Sequence, residues 1–219
     1  MMSHNFTTAQ IIDEMRSIDP APKQIILERG KVVHEPDEPA ETVFLIETGQ
    51  IRLFQPCEGT KPRLLEILGA DDWLGAPVLA QRAVYGLRAE AVTRSMIWAV
   101  PAEQMYAVLA RRNELAMYII HRLAVRLIAA WDAATALAAD DCRHRLIQTL
   151  LRFSESSAAQ RAAEGIILRI THSELAQAIG AARETVSVYL TELRNQNVVR
   201  TGRNRLVFNP EQLRNLQSA

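Results

Sequence analysis

The sequence has few of the residues on which redox and metal chemistry depend. Its only cysteines, Cys57 and Cys142, are far apart and lack metal-ligand spacing, so neither a disulfide framework nor an iron-sulfur site is expected. The histidines, at positions 4, 34, 121, 144 and 172, show no paired spacing, and no Ser/His/Asp set or carboxylate pair is evident. We therefore predict that the protein is not an enzyme and holds no metal.

Long apolar runs are also missing. No segment is apolar over the length that a membrane span needs, and no signal peptide is recognisable. With 48% hydrophobic and 23% charged residues, the chain has the composition of a globular protein large enough for two domains. We expect it in the cytoplasm.

Charge is balanced over the whole chain but not between its two parts. The 25 basic residues equal the 25 acidic ones, which by itself argues against a nucleic-acid partner. Residues 1–140 carry 14 basic against 18 acidic side chains, a net charge of −4, and residues 141–219 carry 11 against 7, a net charge of +4. A basic C-terminal part on an acidic N-terminal part favours contact with DNA through one end only.

The stretch from Ile170 to Leu193, ITHSELAQAIGAARETVSVYLTEL, has the pattern of two short helices joined by a tight turn. Thr171 and Glu174 form a capping box that starts the first helix at about His172. Gly180 ends that helix because glycine tolerates a left-handed backbone, and a second helix begins after Ala181. The residues expected to pack the helices together are Leu175, Ala176, Ile179, Val186, Leu190 and Leu193. The pattern predicts a helix-turn-helix.

The outward face of the second helix carries side chains that read base edges. Arg183 can hold guanine O6 and N7 with two donors, Glu184 can accept from cytosine N4, and Ser187 can bond a base or a phosphate. Charged residues usually mark only a solvated helix face, but here the cap, the glycine turn and the packing face occur with them in one short window. We predict DNA binding by this helix pair, with further contacts from Thr171, Ser173 and Thr185.

Residues 195–210, NQNVVRTGRNRLVFNP, predict a hairpin directly behind the helix pair. Apolar residues flank a Thr-Gly centre, as in a hairpin whose strands pack on a core. The predicted tip carries Arg200, Arg203 and Arg205. The hairpin is therefore interpreted as a wing, whose cations reach DNA phosphates through Arg200 and Arg203 in particular.

Residues 24–100 have a different pattern, with short alternating runs such as TVFLIE and QIRLFQ separated by glycine and proline. This predicts an antiparallel barrel or double-sheet roll that encloses a ligand-sized interior. An amphipathic stretch from Ala9 to Ile18 precedes the roll, and a short helix from Pro101 to Ala110 follows it.

A long helix capped by Asn113 comes next. Its apolar residues repeat at alternating spacings of four and three, which is typical of a two-stranded coiled coil and favours a homodimer, although packing against the roll would give a similar stripe. The predicted seam comprises Ala116, Ile120, Leu123, Leu127, Ala130, Ala134 and Leu137. A hinge at 138–141, a helix from Cys142 to Phe153, a polar loop at 154–160 and a strand at 165–170 lead into the helix-turn-helix.

The helix-turn-helix residues, above all RETV at Arg183–Val186, the wing and the upstream layout resemble the cyclic-AMP receptor protein/FNR family of bacterial transcription regulators over nearly the whole chain. The resemblance implies an α+β protein with a sensory β-roll at 1–112, a dimerisation helix and hinge at 113–139, and a winged helix-turn-helix domain at 140–219. It also implies a homodimer that binds double-stranded DNA at a palindromic TGT-N-ACA-like site, with RNA polymerase as a partner.

In this family the Arg and Glu of the core read the G and C of a TGTGA-like half-site, which the resemblance transfers to Arg183 and Glu184. The FNR branch uses a Ser one turn on, matching Ser187. The family usually has Arg at the next position, where this chain has Val188. One base contact is therefore missing, and the half-site is expected to differ at that base pair. The N-terminal cysteine cluster of FNR itself is absent.

The resemblance also bears on the ligand of the roll. Family members that bind cyclic AMP carry a Glu for the ribose and an Arg-Ser pair for the cyclic phosphate, at positions that fall here on Ala76, Tyr85 and Gly86. A buried phosphate needs a cation or several donors, so cyclic AMP is disfavoured. Arg82 and Arg88 are near in sequence, but exposed surface arginines are commoner.

The adenine-contacting pair of the long helix falls on Ala130 and Trp131. The indole of Trp131 would either fill the adenine space or, as we prefer, anchor an interface. The residues expected to line an effector pocket are Gly75, Ala76, Tyr85, Gly86, Arg88, Leu127 and Trp131.

Three alternatives remain for the effector. One is a 2-oxoglutarate-like anion, because the LGAPVL segment resembles the roll of NtcA-type nitrogen regulators. Another is haem, with His34, His121 or Cys57 as ligands, and the third is no effector at all; no cofactor is predicted. A ligand-sensing or haem/redox-sensing module without DNA contact is the alternative function, but it would leave Arg183, Glu184 and the wing unexplained.

Overall fold

The computed structural model describes residues 6–16, 21–138 and 141–216, and in the helix that ends at Ala138 it describes side chains up to Thr135. The chain forms two compact units, one of residues 1–56 and 67–127 and one of residues 57–66 and 128–219. No helix within the described ranges is long and apolar enough to cross a membrane.

Residues 23–101 form eight strands: β1 (Lys23–Leu27), β2 (Val32–His34), β3 (Thr42–Thr48), β4 (Ile51–Gln55), β5 (Arg63–Leu68), β6 (Trp73–Leu74), β7 (Arg88–Ala91) and β8 (Ser95–Pro101). They build two four-stranded sheets, with the orders β1-β8-β3-β6 and β2-β7-β4-β5. Their pairings include β1 with β8, β3 with β8 and β4 with β7, all antiparallel. The predicted antiparallel roll is confirmed.

Alternation along the strands decides which side chains enter the core of the roll. In β7, Ala89 and Ala91 are fully buried, whereas Arg88 and Glu90 between them are partly exposed. The core also takes in Val43 and Ile97, which belong to paired strands of the other sheet. An arginine on β7 is therefore directed to the outer face of the sheet.

The first unit also contains helix α1 (Thr8–Met15), the short α2 (Ala76–Leu79), α3 (Ala102–Arg111) and the beginning of the long α4 (Asn113–Ala138). Thr7 and Gln10 form a capping box that starts α1. The predicted amphipathic stretch begins one residue early, at Thr8, and its last two residues, 17 and 18, lie outside the described ranges. The predicted short helix starts at Ala102, because Pro101 ends β8 and serves as the N-cap.

The elements of the second unit that follow residue 140 are four helices and four strands: α5 (Cys142–Ser154), β9 (Gln160–Ala162), β10 (Gly165–Leu168), α6 (His172–Ile179), α7 (Arg183–Asn195), β11 (Val199–Gly202), β12 (Arg205–Phe208) and α8 (Pro210–Asn215). The strands form one sheet of order β11-β12-β10-β9. Asp141 caps α5 by accepting a hydrogen bond from the Arg143 amide at 2.8 Å. Residues 139 and 140 of the predicted hinge lie outside the described ranges.

Two local predictions in this unit were wrong. The loop is shorter than the predicted 154–160, because Ser154 belongs to α5 and Gln160 to β9. Strand β9 pairs with β10 and so covers the edge of β10 that would otherwise be unpaired. The wing does not turn at Thr-Gly, because Gly202 pairs with Arg205 and the turn consists of Arg203 and Asn204. Asn204 has a φ of 55°, and asparagine tolerates this left-handed conformation better than most residues.

Candidate functional site

The helix pair α6–α7 starts and turns as the sequence predicts. The Thr171 hydroxyl accepts from the Glu174 amide at 3.2 Å, and the Glu174 carboxylate accepts from the Thr171 amide at 2.7 Å, which confirms the capping box. Gly180 ends α6 with a φ of 66°, and the Ala181 amide donates to the Ala176 carbonyl at 3.0 Å. The turn is thereby fixed by backbone hydrogen bonds.

The two helices are held together by the predicted apolar face. The side chains that fill the contact are buried on both helices, and none of the buried residues of α6 and α7 is charged. Burial of each large aliphatic side chain contributes roughly 1.5 to 3 kcal/mol. The contact comprises Leu175, Ala176, Ile179, Val186, Leu190 and Leu193.

The exposed beginning of α7 presents Arg183 and Glu184 side by side. Neither side chain has a hydrogen bond or an ion pair within the described residues, although both are charged. Neighbours at i and i+1 on a helix point in different directions, so these two cannot neutralise each other. The result is one cationic fork and one carboxylate directed to solvent at the N-terminal end of a helix, which suits base recognition.

Ser187, one turn further along, is engaged within the chain. Its hydroxyl donates to the Arg183 carbonyl at 3.0 Å, and its Oγ lies 2.9 Å from Nδ1 of His172. Because a hydroxyl has one hydrogen, Ser187 then accepts from Nδ1–H, and one lone pair remains. That lone pair suits an amino group of cytosine or adenine. Burial, followed by the positive charge of Arg183, lowers the pKa of His172, so the imidazole is neutral at neutral pH.

The other predicted DNA contacts lie on the same helix pair and the wing. Thr171 uses its hydroxyl in the capping box, and Ser173 and Thr185 are half-buried in the first turns of α6 and α7. Arg200 is exposed on β11, and Arg203 is exposed in the wing turn. Arg205 is not at the tip, and its guanidinium pairs with Glu164 at 2.7 Å.

In the roll, Gly75 and Tyr85 meet at the backbone of Thr42. The Tyr85 hydroxyl donates to the Thr42 carbonyl at 2.8 Å, and the Thr42 amide donates to that hydroxyl at 3.3 Å. A Cβ on Gly75 would lie 2.8 Å from the same carbonyl oxygen. The Tyr85 side chain, which the sequence analysis assigned to an effector pocket, is therefore buried and hydrogen-bonded within the roll.

Sequence reasoning missed the partner of Tyr85, which is His34. Their rings stack with centroids 3.8 Å apart, and His34 is only 4% exposed. Burial lowers the pKa of His34 to about 4, against the opposing effects of a backbone hydrogen bond at Leu87 and the charge of Glu38. His34 Nδ1 has no hydrogen-bond partner within the described residues. Nothing in the spacing of His34 and Tyr85 signals this pair, because it forms only when the strands fold together.

Of the remaining predicted pocket residues of the roll, Ala76 is partly buried against the core, whereas Arg88 and Gly86 lie at the surface. Arg88 pairs with Glu35 at 3.0 Å and with Glu90 at 3.1 Å, so its charge is already balanced. Gly86 is exposed, with its amide donating to the Pro36 carbonyl at 2.7 Å, and Ala76 is the first residue of α2. Arg82 is also exposed.

Helix α4 has one apolar face that is covered and one that is open. Leu115 and Ile119 are buried in the core of the roll, and the partly buried Leu123 packs against the same core. Ile120, Leu127 and Trp131 are exposed, with Trp131 at 60%. Of the other predicted seam residues, Ala116 is half-buried, Ala130 and Ala134 are exposed, and the Leu137 side chain lies outside the described residues.

The three residues named as haem ligands are not brought together as a ligand set. His34 is buried against Tyr85, whereas His121 and Cys57 are exposed. Within the described part of the chain, no cluster of three or more His, Cys, Asp or Glu side chains has the arrangement of a metal site.

Two known domain families match the chain. The cyclic nucleotide-binding domain matches residues 24–112, and the Crp-like helix-turn-helix domain matches residues 144–216.

Curated relatives match most of the chain. The global nitrogen regulator of Synechococcus elongatus is 31% identical over 188 residues, which cover 84% of this chain and 84% of that protein. The cyclic AMP receptor protein of Thermus thermophilus is 29% identical over 174 residues, 80% of this chain and 78% of the relative. The solved structure of FixK2 from Bradyrhizobium japonicum covers 90% of this chain and 97% of its own, with a TM-score of 0.75 and 21% identity, and so shares the fold.

Proposed function

Because the chain belongs to the CRP/FNR family of DNA-binding transcription regulators, we propose that it binds a palindromic TGT-N-ACA-like site as a homodimer. Arg183 reads guanine and Glu184 reads cytosine in each half-site. Val188, which is 57% exposed on α7, offers only apolar contact where the family usually has an arginine.

The observation that carries this proposal is the pair of unpartnered charges at the start of α7. Arg183 and Glu184 are exposed and have no hydrogen bond or ion pair of their side chains within the described residues, so both charged groups are available to a base edge. Each good bidentate contact between a side chain and a base contributes about 1 to 3 kcal/mol of discrimination. Ser187, Thr171, Ser173 and Thr185 supply further polar contacts, and Arg200 and Arg203 supply phosphate contacts from the wing.

The homodimer is supported by the open apolar face of α4. Ile120, at 55% exposed, and Trp131 lie on this face together with Leu127, Ala130 and Ala134. A second copy of the helix would cover these side chains in a coiled-coil seam. A dimer also presents two α7 helices to half-sites about 34 Å apart, one turn of DNA, which is the geometry a palindrome requires.

We further propose that cyclic AMP is not the effector. Ala76 offers no acceptor for the ribose hydroxyl, Gly86 offers no side chain for the cyclic phosphate, and Tyr85 is bonded to Thr42. The charge of Arg88 is balanced by two glutamates. The relatives include proteins named for cyclic AMP and others named for nitrogen regulation. A 2-oxoglutarate-like anion therefore remains the first effector to test, followed by haem.

Contact with RNA polymerase, a cytoplasmic location and the division into residues 1–112, 113–139 and 140–219 stay predictions. Together they describe a regulator in which a sensory roll and a dimer helix set the spacing of two recognition helices.

The decisive experiment measures binding to a fluorescently labelled TGT-N-ACA palindrome and to a scrambled duplex of the same length at one fixed salt concentration. Arg183→Ala should weaken binding to the palindrome by about 1 to 3 kcal/mol, roughly 5- to 150-fold, and relax specificity at one base pair. Arg203→Ala should weaken binding to both duplexes alike and lower the salt dependence.

Equal losses on both duplexes for Arg183→Ala would contradict base recognition by that residue. If neither duplex is bound with or without 2-oxoglutarate, cyclic AMP or haem, the alternative function, a ligand-sensing or redox-sensing module that does not contact DNA, is favoured instead.

A further inference from the structure

Val188 is a large hydrophobic residue that is exposed on the recognition helix α7. Its side chain is 57% exposed, and among the described residues from 141 to 216 no other large hydrophobic residue is exposed. Valine is also one of the poorer helix formers, because its branched side chain loses rotamer freedom against the preceding turn. Neither burial within the chain nor helix propensity therefore explains a valine at this position.

Val188 lies on the face of α7 that carries Glu184. The two residues are four apart in the helix, so they are neighbours on one face, with Cβ atoms about 5 to 6 Å apart. Thr191 follows on the same face, three residues after Val188, and is exposed as well. The buried residues Val186 and Leu190 belong to the opposite face. Val188 is therefore directed away from the core, to the side on which Glu184 is open to a partner.

Thr191 adds to the apolar character of this face. Its hydroxyl donates to the Ser187 carbonyl at 2.8 Å, one turn back in the helix. Because a hydroxyl has one hydrogen, Thr191 has no donor left for a partner, and its methyl group adds apolar area beside Val188. Val188 and Thr191 together form a small apolar patch next to the two charged residues at the start of α7.

The chemistry of base edges decides what this patch can recognise. In the major groove, thymine is the base that presents a methyl group, and apolar side chains contact it. The edges of guanine, adenine and cytosine present hydrogen-bonding groups that a valine cannot satisfy. Glu184 and Val188 are about 6 Å apart along the helix axis, and stacked bases are about 3.4 Å apart. Val188 is thus expected one or two base pairs from the pair that Glu184 reads.

We propose that Val188 determines one further base pair of each half-site by contacting the C5-methyl group of thymine. The inference rests on the proposed function, since it requires α7 to lie in the major groove of the palindrome. Val188 is then a specificity-determining residue that selects a pair containing thymine, whereas an arginine at this position would select guanine.

The test compares thymine with deoxyuridine, which lacks only the C5-methyl group, in DNA binding by the full-length protein. The probes are fluorescently labelled TGT-N-ACA palindromes that carry each of the four base pairs at the innermost position next to each TGT. In the duplex that is bound most tightly, every thymine is replaced by deoxyuridine in turn, in both half-sites at once. At one position we expect binding to weaken by roughly fourfold per half-site, the loss of one buried methyl contact.

Val188→Ala should bind the thymine duplex more weakly and should no longer distinguish thymine from deoxyuridine at that position. The matched control is Val84→Ala, which changes a valine that is 41% exposed in the first unit and should keep the full difference. Alanine is the better helix former, so Val188→Ala should fold. Binding to the scrambled duplex checks this, because it should be equal for Val188→Ala and the wild type.

The outcomes separate this inference from the proposed function. If the wild type prefers the palindrome but distinguishes no thymine from deoxyuridine, or if the difference persists in Val188→Ala, the inference is overturned and the proposed function stands. Equal binding of the palindrome and the scrambled duplex by the wild type would overturn both.

Discussion

Arg88 and Arg122 of the first unit form ion pairs within the chain, whereas Arg183 at the start of α7 forms none within the described residues. In the first unit, Arg88 of β7 pairs with two glutamates, and Arg122 of α4 pairs with the buried Asp72. At the start of α7, Arg183 has Glu184 beside it in sequence, but neither pairs within the described residues. The ion pairs of Arg88 and Arg122 stabilise the fold, whereas Arg183 is available to an external partner, which we propose to be DNA.

Gly75 of the roll and Gly180 of the α6–α7 turn also differ in how closely their surroundings pack. Gly75, with a φ of 102°, lies against the Thr42 backbone, whereas Gly180, with a φ of 66°, stands in open space. Both need the left-handed region, but only Gly75 also needs the absence of a side chain. The roll is therefore the more tightly packed of the two regions around its glycine.

The largest effect is expected for Gly75→Ala. Its Cβ would lie 2.8 Å from the Thr42 carbonyl oxygen in addition to the unfavourable φ, so we expect a loss of about 2 to 5 kcal/mol in the free energy of unfolding. Urea unfolding followed by circular dichroism measures this loss. An unchanged midpoint would mean that Gly75 and Thr42 are not packed as described.

Acid should weaken the roll through His34. Its pKa is about 4 in the folded protein and 6.5 in a solvated chain, so the unfolded state binds more protons below pH 6.5. Stability is therefore full above pH 6.5 and falls as the pH drops towards 4, by about 3 kcal/mol in total. Urea unfolding at several pH values should show this slope in the wild type and a smaller one in His34→Gln. Equal slopes would contradict the burial of His34.

Arg183→Gln and Arg88→Gln compare the two kinds of arginine directly. Arg183→Gln should cost about 1 to 3 kcal/mol in binding to the palindrome and leave the unfolding free energy unchanged. Arg88→Gln should leave DNA binding unchanged and cost under about 1 kcal/mol in stability, because its ion pairs are partly exposed. DNA titration and urea unfolding of both variants decide this, and a loss of DNA affinity in Arg88→Gln would break the contrast.

The smallest effect is expected for Gly180→Ala. Its Cβ would meet no atom within 4 Å among the described residues, so only the left-handed backbone is penalised, by about 1 kcal/mol. The same unfolding measurement serves here. A loss as large as that of Gly75→Ala would show that the α6–α7 turn is more crowded than the structure indicates.

Most of the second unit was predictable because its signals are local. A capping box joins residues three apart, a glycine ends a helix through its own φ, and the packing face repeats within one turn. The sequence from Thr171 to Leu193 is therefore sufficient to predict the helix pair. The wing was predicted as a hairpin, but its turn moved by two residues because Asn204, rather than Gly202, takes the left-handed conformation.

The sequence by itself determined the helix-turn-helix, the antiparallel pattern of the roll and the exposed Arg183 and Glu184, since each depends on residues close together in the chain. Only the tertiary structure decided that Tyr85 stacks on His34 and bonds to Thr42, and that Arg88 pairs with Glu35. The physical reason is distance along the chain. Contacts between residues some 50 positions apart are set by strand register and burial, and neither is visible in a local pattern.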